Sequence, residues 1–240
     1  VFKKICFIRD FELGVKKAFD EGFIKCPIYL AVGQEAAPAA ISEIYKGPGI
    51  FAQHRCHGWY LAYGGDIGAL IDELLHKPTG CAKGMGGSAS IHSPDIGMFG
   101  HSGLMGDQVP IATGFALGSS KRTLAIMGDA SAEEDYVLAS FGYAAHKKLP
   151  VLFVCEDNNL SILTEVKIRR NWKMVDLARA FGMPAFEIAD DPWTLMYYVE
   201  KQQNQLPAFL NIHVEPHQWN TGLGKQKEHE SHRIVKKKNE

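Results

Sequence analysis

The run from Gly128 to Asn159, GDASAEEDYVLASFGYAAHKKLPVLFVCEDNN, constrains the fold of this chain more than any other stretch. Thr123 to Met127, just before it, is short and apolar and reads as a strand ending at Gly128. Ser131 followed three residues later by Glu134 has the form of a capping box, which predicts a helix starting there. Tyr136, Val137, Ser140, Phe141, Ala144 and Ala145 then recur at helical spacing. Leu149-Pro150 ends the helix, because proline disfavours helical geometry in the residue before it. Val151 to Cys155 is apolar throughout, as a strand covered on both faces should be. A right-handed crossover sets the two strand ends side by side, at the edge where open α/β sheets bind ligands. Asp129 and Asn158 are thus expected on one edge. A carboxylate and an amide oxygen beside free backbone N–H groups suit a magnesium ion carrying a diphosphate. An ordinary strand-end turn capped by an aspartate is the plainer alternative.

The rest of the chain extends this α/β pattern. Ile5 to Gly22 reads as an amphipathic helix with Ile8, Phe11, Val15, Ala18 and Phe19 on one side. Helices are also expected over Glu35–Tyr45, Ile67–Leu75, Pro110–Ser119 and Met174–Phe181, the last closed by Gly182. Asp191-Pro192 is a further helix start, with proline at the first helical position. Ala185–Ile188 and Ala208–Val214 read as strands. Thr79 to Gly106 is rich in glycine and nearly aperiodic, and a loop of that length in a compact domain is usually functional or disordered. The expected fold is therefore α/β, a parallel sheet with helices on both faces. Residues 1–224 form its one domain and residues 225–240 a charged tail.

Composition excludes several functions. A net charge of −1 over 240 residues gives no reason to expect nucleic acid or a membrane surface as partner. No run is long enough to span a membrane and no signal peptide is recognisable. The five cysteines (Cys6, Cys26, Cys56, Cys81 and Cys155) are scattered and odd in number. They read as reduced thiols, and the expected location is cytoplasmic.

Four segments, in order, resemble one known family. They are IRDFELGVKKAFDEGFIKCPIYLAVGQEA, HRCHGWYLAYG, KPTGCAKGMGGS and GLMGDQVPIATGFALG. With the glycine-aspartate turn and the asparagine turn some thirty residues later, they are similar to the alpha subunits of two-chain thiamine diphosphate-dependent 2-oxo acid dehydrogenases of the pyruvate, branched-chain and acetoin types. The likeness runs from about Ile8 to about Glu215. It implies a thiamine diphosphate-binding fold with thiamine diphosphate and Mg2+ as cofactors.

The resemblance also assigns roles. Asp129 and the side-chain oxygen of Asn158 are the implied metal ligands, joined by the backbone carbonyl of Leu160. Gly128, Asp129 and Ala130 form the cofactor turn, with Ala130 where the family has a second glycine. Arg55 stands where an arginine meets the phosphates, and guanidinium suits bidentate phosphate contact. His54 replaces the tyrosine that precedes it, and His57 matches the motif histidine. A basic helix end on the surface is the bland reading of this segment. Gly103 and Met105 match the turn that holds the aminopyrimidine ring, which could equally be a plain strand-to-helix turn. Glu35, in the GQEA match, is either part of an acidic connection between two active sites or a carboxylate favoured by a helix dipole. His101 lies one place from a histidine of some members and is a candidate for proton handling or for a structural role. The glutamate that activates the cofactor comes in this family from a beta subunit, and no position here matches it. The implied assembly is therefore an alpha2beta2 heterotetramer, inactive without the beta-like chain.

Departures from the pattern bear on the reaction. The family's early histidine falls at Tyr29, and the histidine after its next glycine segment falls at Ser90, with His92 nearby. The histidine-rich loop that serves acyl transfer to a lipoyl arm is not evident, and only His213 and His217 stand near it. The leading expectation is the diphosphate-binding subunit of an enzyme that decarboxylates a 2-oxo acid, pyruvate by analogy, and transfers the two-carbon unit. A transketolase-like or pyruvate-dependent carboligase with a sugar or aldehyde acceptor is the second. A non-catalytic interaction subunit is the third, and the intact Asp129 and Asn158 argue against it.

Overall fold

A computed structural model describes residues 1–100, 102–162 and 164–214. His101, His217 and the 225–240 tail lie outside them. The elements run α1 (Phe2–Asp20), α2 (Ala36–Ile44), β1 (Gly49–Phe51), α3 (His57–Ala62), α4 (Ile67–Leu74), β2 (Met98–Phe99), α5 (Gln108–Ser119) and β3 (Thr123–Gly128). There follow α6 (Asp135–Lys147), β4 (Val151–Asp157), β5 (Leu160–Ser161), β6 (Thr164–Glu165), α7 (Val166–Arg169), α8 (Met174–Ala180), β7 (Ala185–Ala189), α9 (Pro192–Gln202) and β8 (Ala208–His213). Six strands form one sheet in the order β2-β1-β3-β4-β8-β7, and all five pairings are parallel. β5 and β6 form a separate antiparallel hairpin.

Strand side chains alternate between two apolar layers, as a period of two requires. Ile50, Leu124, Ile126, Leu152, Val154, Leu210 and Ile212 join the layer built with α1, α2, α3, α4 and α9. Phe51, Ala125, Met127, Phe153, Cys155 and Phe209 join the opposite layer with α5, α6 and α8. In that second layer Phe141 of α6 packs edge-on to Phe153 at 4.7 Å and against Phe209 at 5.4 Å between ring centres. The chain is thus an α/β fold with helices on both faces of a parallel sheet, as expected.

The start of α6 differs from expectation. Ser131–Glu133 is a single 3-10 turn and the helix begins only at Asp135. Buried Ser131 donates its hydroxyl to Gln53 Oε1 at 2.8 Å instead of capping the helix. A tertiary partner outweighs the local motif. In α1, Ile8, Phe11 and Val15 are buried as the periodicity predicts, but so is Glu12.

The glycine-rich stretch is ordered by one carboxylate. Glu73, at the end of α4 and fully buried, accepts the backbone N–H groups of Ala82, Gly84, Gly86 and Gly87 at 2.7, 2.8, 2.7 and 3.0 Å. The stretch then contributes β2 to the sheet edge, an element its composition did not announce. Glu73→Ala would leave four donors without their acceptor and should cost at least about 3 kcal/mol of stability. Glu73→Gln, which keeps one acceptor oxygen, should fall between. Chemical denaturation checks this, and an unchanged midpoint for the alanine variant would contradict it.

Candidate functional site

The strand order makes a crevice. The chain leaves β1 toward β2 but leaves β3 toward β4, so the connections diverge at the carboxyl ends of β1 and β3. Ligands of open α/β sheets bind at such a reversal. One wall is Gln53-His54-Arg55, just after β1. The other is Gly128-Asp129-Ala130, at the end of β3. The Ser131–Gln53 hydrogen bond joins the two loops. A Cβ on Gly128 would lie 2.9 Å from Gln53 Nε2, so the approach favours glycine.

Asp129 is 1% exposed. Burial raises its carboxyl to about 6, the neighbouring Asp157 adds to the rise, and Arg169 opposes it. β3 and β4 are registered so that Gly128 pairs with Glu156, which puts Asp129 and the Asp157-Asn158 turn at adjacent strand ends. Asn158 Oδ1 accepts the N–H of Leu160 at 2.8 Å, and Asp157 Oδ1 that of Asn159 at 2.9 Å. These Asx turns start the β5–β6 hairpin, with Leu160 its first residue. Asp157 Oδ2 also accepts from Asn211 Nδ2 at 2.9 Å.

The phosphate-side candidates are held from below. Arg55 is half-buried and donates to the carbonyl of Leu30. Burial draws its guanidinium down to about 10, against the pull of Glu156, Glu12 and Tyr29, so it stays a cation at neutral pH. The His54 ring meets the Tyr29 ring edge-on at 4.9 Å. His57 lies beneath, fully buried, between Glu12 Oε2 at 3.2 Å and Ser88 Oγ at 2.9 Å. Ser88 Oγ in turn accepts the N–H of Tyr29 at 3.0 Å, which ties the Tyr29 backbone to α3. At the loop before α5, Gly103 is exposed with φ +98° and Met105 is half-buried, its carbonyl accepting from the Tyr136 hydroxyl.

Glu35 belongs to a different cluster. It stands at the N-cap of α2 but makes no side-chain cap bond. Its oxygens accept from Arg9, at 2.7 Å through Nη2, and from Gly33 N at 3.1 Å. The charge of Glu35 also reaches Asp190, just past β7. Glu156 at the end of β4 accepts from Trp59 Nε1 at 3.3 Å. Burial raises Glu156 to about 8, with the Trp59 bond and Arg55 opposing and Asp190 adding to the rise.

The sequence reading missed Gln53, Trp59, Glu156, Asp190, Arg9, Glu133 and the tandem Arg169-Arg170. Arg169 pairs with Asp129, and both arginines pair with Glu133. Two adjacent arginines shortly after the asparagine turn were a signal of a cation destined for a nearby carboxylate. Among the described residues, no group of three or more histidine, cysteine or acidic side chains is placed to hold a metal. What the crevice offers is the Asp129 carboxylate with that of Asp157 beside it, one amide oxygen and main-chain carbonyls.

Residues 3–204 match the model of the dehydrogenase E1 component family. The pyruvate dehydrogenase E1 component subunit alpha of Rickettsia felis is 30% identical over 226 residues, which cover 88% of this chain and 69% of that protein. The subunit of the same name from Zymomonas mobilis is 31% identical, over 78% of this chain and 55% of its own length. Among solved structures, a transketolase mutant from Pichia stipitis superposes with a TM-score of 0.62 at 15% identity, over 88% of this chain and 36% of that one. Transketolase from Campylobacter jejuni gives 0.57 at 17% identity, over 74% of this chain and 30% of that one. These two show the fold alone. The chain belongs to the dehydrogenase E1 component family, and within it to the alpha-subunit kind of the thiamine diphosphate-dependent 2-oxo acid dehydrogenases.

Asp190 generates a pH prediction. Its buried Oδ1 has no hydrogen-bond partner, and burial followed by the Glu35 charge raises its carboxyl to about 7 from 3.8. A carboxyl raised on folding keeps its proton in the native state while the unfolded chain releases it. Its contribution therefore falls as pH rises from about 4 to about 7, by at most about 1.4 kcal/mol per pH unit. Asp190→Asn should flatten that decline, as denaturation midpoints at about pH 5 and about pH 8 would register.

Proposed function

We propose that this chain is the diphosphate- and Mg2+-binding subunit of a two-chain enzyme that decarboxylates a 2-oxo acid, with pyruvate as the donor, and passes on the two-carbon unit. The carrying observation is the crevice between β1 and β3, where a buried carboxylate, an Asx-turn amide and a buried-side arginine lie on adjacent loops of a family member. The residues fit the ion and its ligand. Magnesium takes hard oxygen donors and few of them from protein, and Asp129 beside Asp157 concentrates negative charge that calls for a cation. Asp129, the Asn158 side chain and the Leu160 carbonyl would hold the metal. Arg55 and His54 would meet the diphosphate, and the main chain around Gly103 and Met105 would hold the aminopyrimidine. When bound, thiamine diphosphate supplies the carbon that attacks the 2-oxo acid.

A beta-like partner supplies the activating glutamate in this reading, in an alpha2beta2 assembly. Each buried glutamate among the described residues already has a partner: Glu12 with His57, Glu35 with Arg9, Glu73 with four backbone N–H groups and Glu156 with Trp59. α5 also leaves Ile111 and Leu117 about half exposed, apolar surface suited to a second chain. Tyr29 and Ser90, where the family has histidines, favour as second reading an acceptor other than a lipoyl arm, an aldehyde or sugar. The cysteines stand unpaired, which fits a cytoplasmic setting.

Asp129→Ala should abolish metal-dependent thiamine diphosphate binding, measured by calorimetry on the chain with its partner, and retained affinity would count against the assignment. The purified chain alone should release no CO2 from pyruvate at saturating cofactor and Mg2+. Turnover by that single chain would remove the need for a partner's glutamate.

A further inference from the structure

Asp129 already has a cation. Its Oδ2 is ion-paired with Nη2 of Arg169, whose side chain is 13% exposed against 2% for the carboxylate. Arg170 donates from Nη1 to the main-chain carbonyl of Asp129 at 3.1 Å and pairs with Glu133 Oε1 at 2.5 Å. Nη1 of Arg169 lies 2.8 Å from the same Glu133 oxygen. Arg169 ends the four-residue α7 and Arg170 follows it, so a short external segment closes over the Asp129 carboxylate.

Two features mark this contact as replaceable. Two of its donors are unsatisfied: Nε of Arg169 and Nε of Arg170 are buried without a hydrogen-bond partner. Buried donors left in that state cost about 1–3 kcal/mol each. The backbone leading to them is also strained. Asn159 has φ 64° and Ile162 φ 55°, and the left-handed region is unfavourable for a β-branched residue, by about 1–3 kcal/mol. α7 itself buries no residue, and Ile168 is 72% exposed. Among the described residues, Val166 N–H meets Asn159 within the hairpin, its carbonyl at 3.1 Å and its Oδ1 at 3.3 Å, and the ion pairs that tie α7 to Asp129 and Glu133 are those of the two arginines.

We propose that Arg169 is the resident counter-ion of Asp129, and that a divalent metal loads the site by exchange, displacing the guanidinium and freeing α7. The proposal rests on the reading of Asp129 as a metal ligand. A guanidinium and a divalent ion on one carboxylate oxygen repel each other at close range. The metal therefore meets a site whose competent state is only a fraction of the population, and its apparent affinity is lowered by that fraction.

The test uses Mn2+ alone, without thiamine diphosphate, titrated into the full chain with its partner and followed by the paramagnetic resonance of free Mn2+. Arg169→Met, which keeps length but removes charge and donors, should bind about tenfold more tightly than wild type, within the usual range of coupling between sites. Arg169→Lys should stay near wild type, and Asp129→Asn should lose the site. In wild type, Mg2+ should speed amide hydrogen exchange across residues 164–170, a readout that needs no variant. Equal or weaker binding by Arg169→Met, with Asp129→Asn still losing the site, overturns the exchange and leaves the ligand reading intact. Mg2+ that slows exchange or leaves it unchanged also overturns it. Unaltered binding by Asp129→Asn, or no Mn2+ binding by any of these proteins, overturns both.

Discussion

A carboxylate taken out of water must be met by charge or by hydrogen bonds, and this chain meets that demand at the places where its loops are decided. Glu73 gathers four amides and gives an aperiodic stretch its path. Glu12 reaches through His57 and Ser88 to the backbone of Tyr29, so the first helix, α3 and two loops share one hydrogen-bonded column. Glu35 fixes α1 to the start of α2 through Arg9. Asp129 recruits Arg169 from forty residues away. The apolar layers hold the sheet together, but these acids say where the connecting segments run.

That division explains what was legible in the sequence. β3, β4, β7 and β8, and helices such as α4, α8 and α9, follow from periodicity, from Gly182 and from the Asp191-Pro192 start, where Asp191 caps the helix through Thr194 N at 2.7 Å. Those signals are local, and nothing distant overrides them. The capping motif at Ser131 misled because its hydroxyl had a partner 78 residues earlier. Glu12 could not be recognised as buried, since a lone acid within an apolar face looks like a solvated one until His57 is set against it. The edge that holds Asp129 and the asparagine turn was readable from topology. The tandem Arg169-Arg170 signals a cation for some nearby carboxylate, but its placement over Asp129 depends on a hairpin in which Asn159 and Ile162 are left-handed.

The departures from the family pattern look less independent once placed. Tyr29 and His54 each break a motif, one by losing a histidine and the other by losing a tyrosine. Their rings touch. Both departures therefore sit in one edge-on aromatic contact, with ring centres 4.9 Å apart.

Consecutive residues at the end of β4 serve different sides of the sheet. Glu156 faces the layer that contains Trp59, whereas Asp157 faces the layer of Phe153 and Cys155 and binds Asn211 of β8. One strand tip thereby anchors two polar networks, one on each face of the sheet. Lengthening or shortening β4 by a single residue would turn Glu156 and Asp157 to the opposite faces and deliver each acid to the wrong neighbours, so the span between Pro150 and Asn158 sets both networks at once.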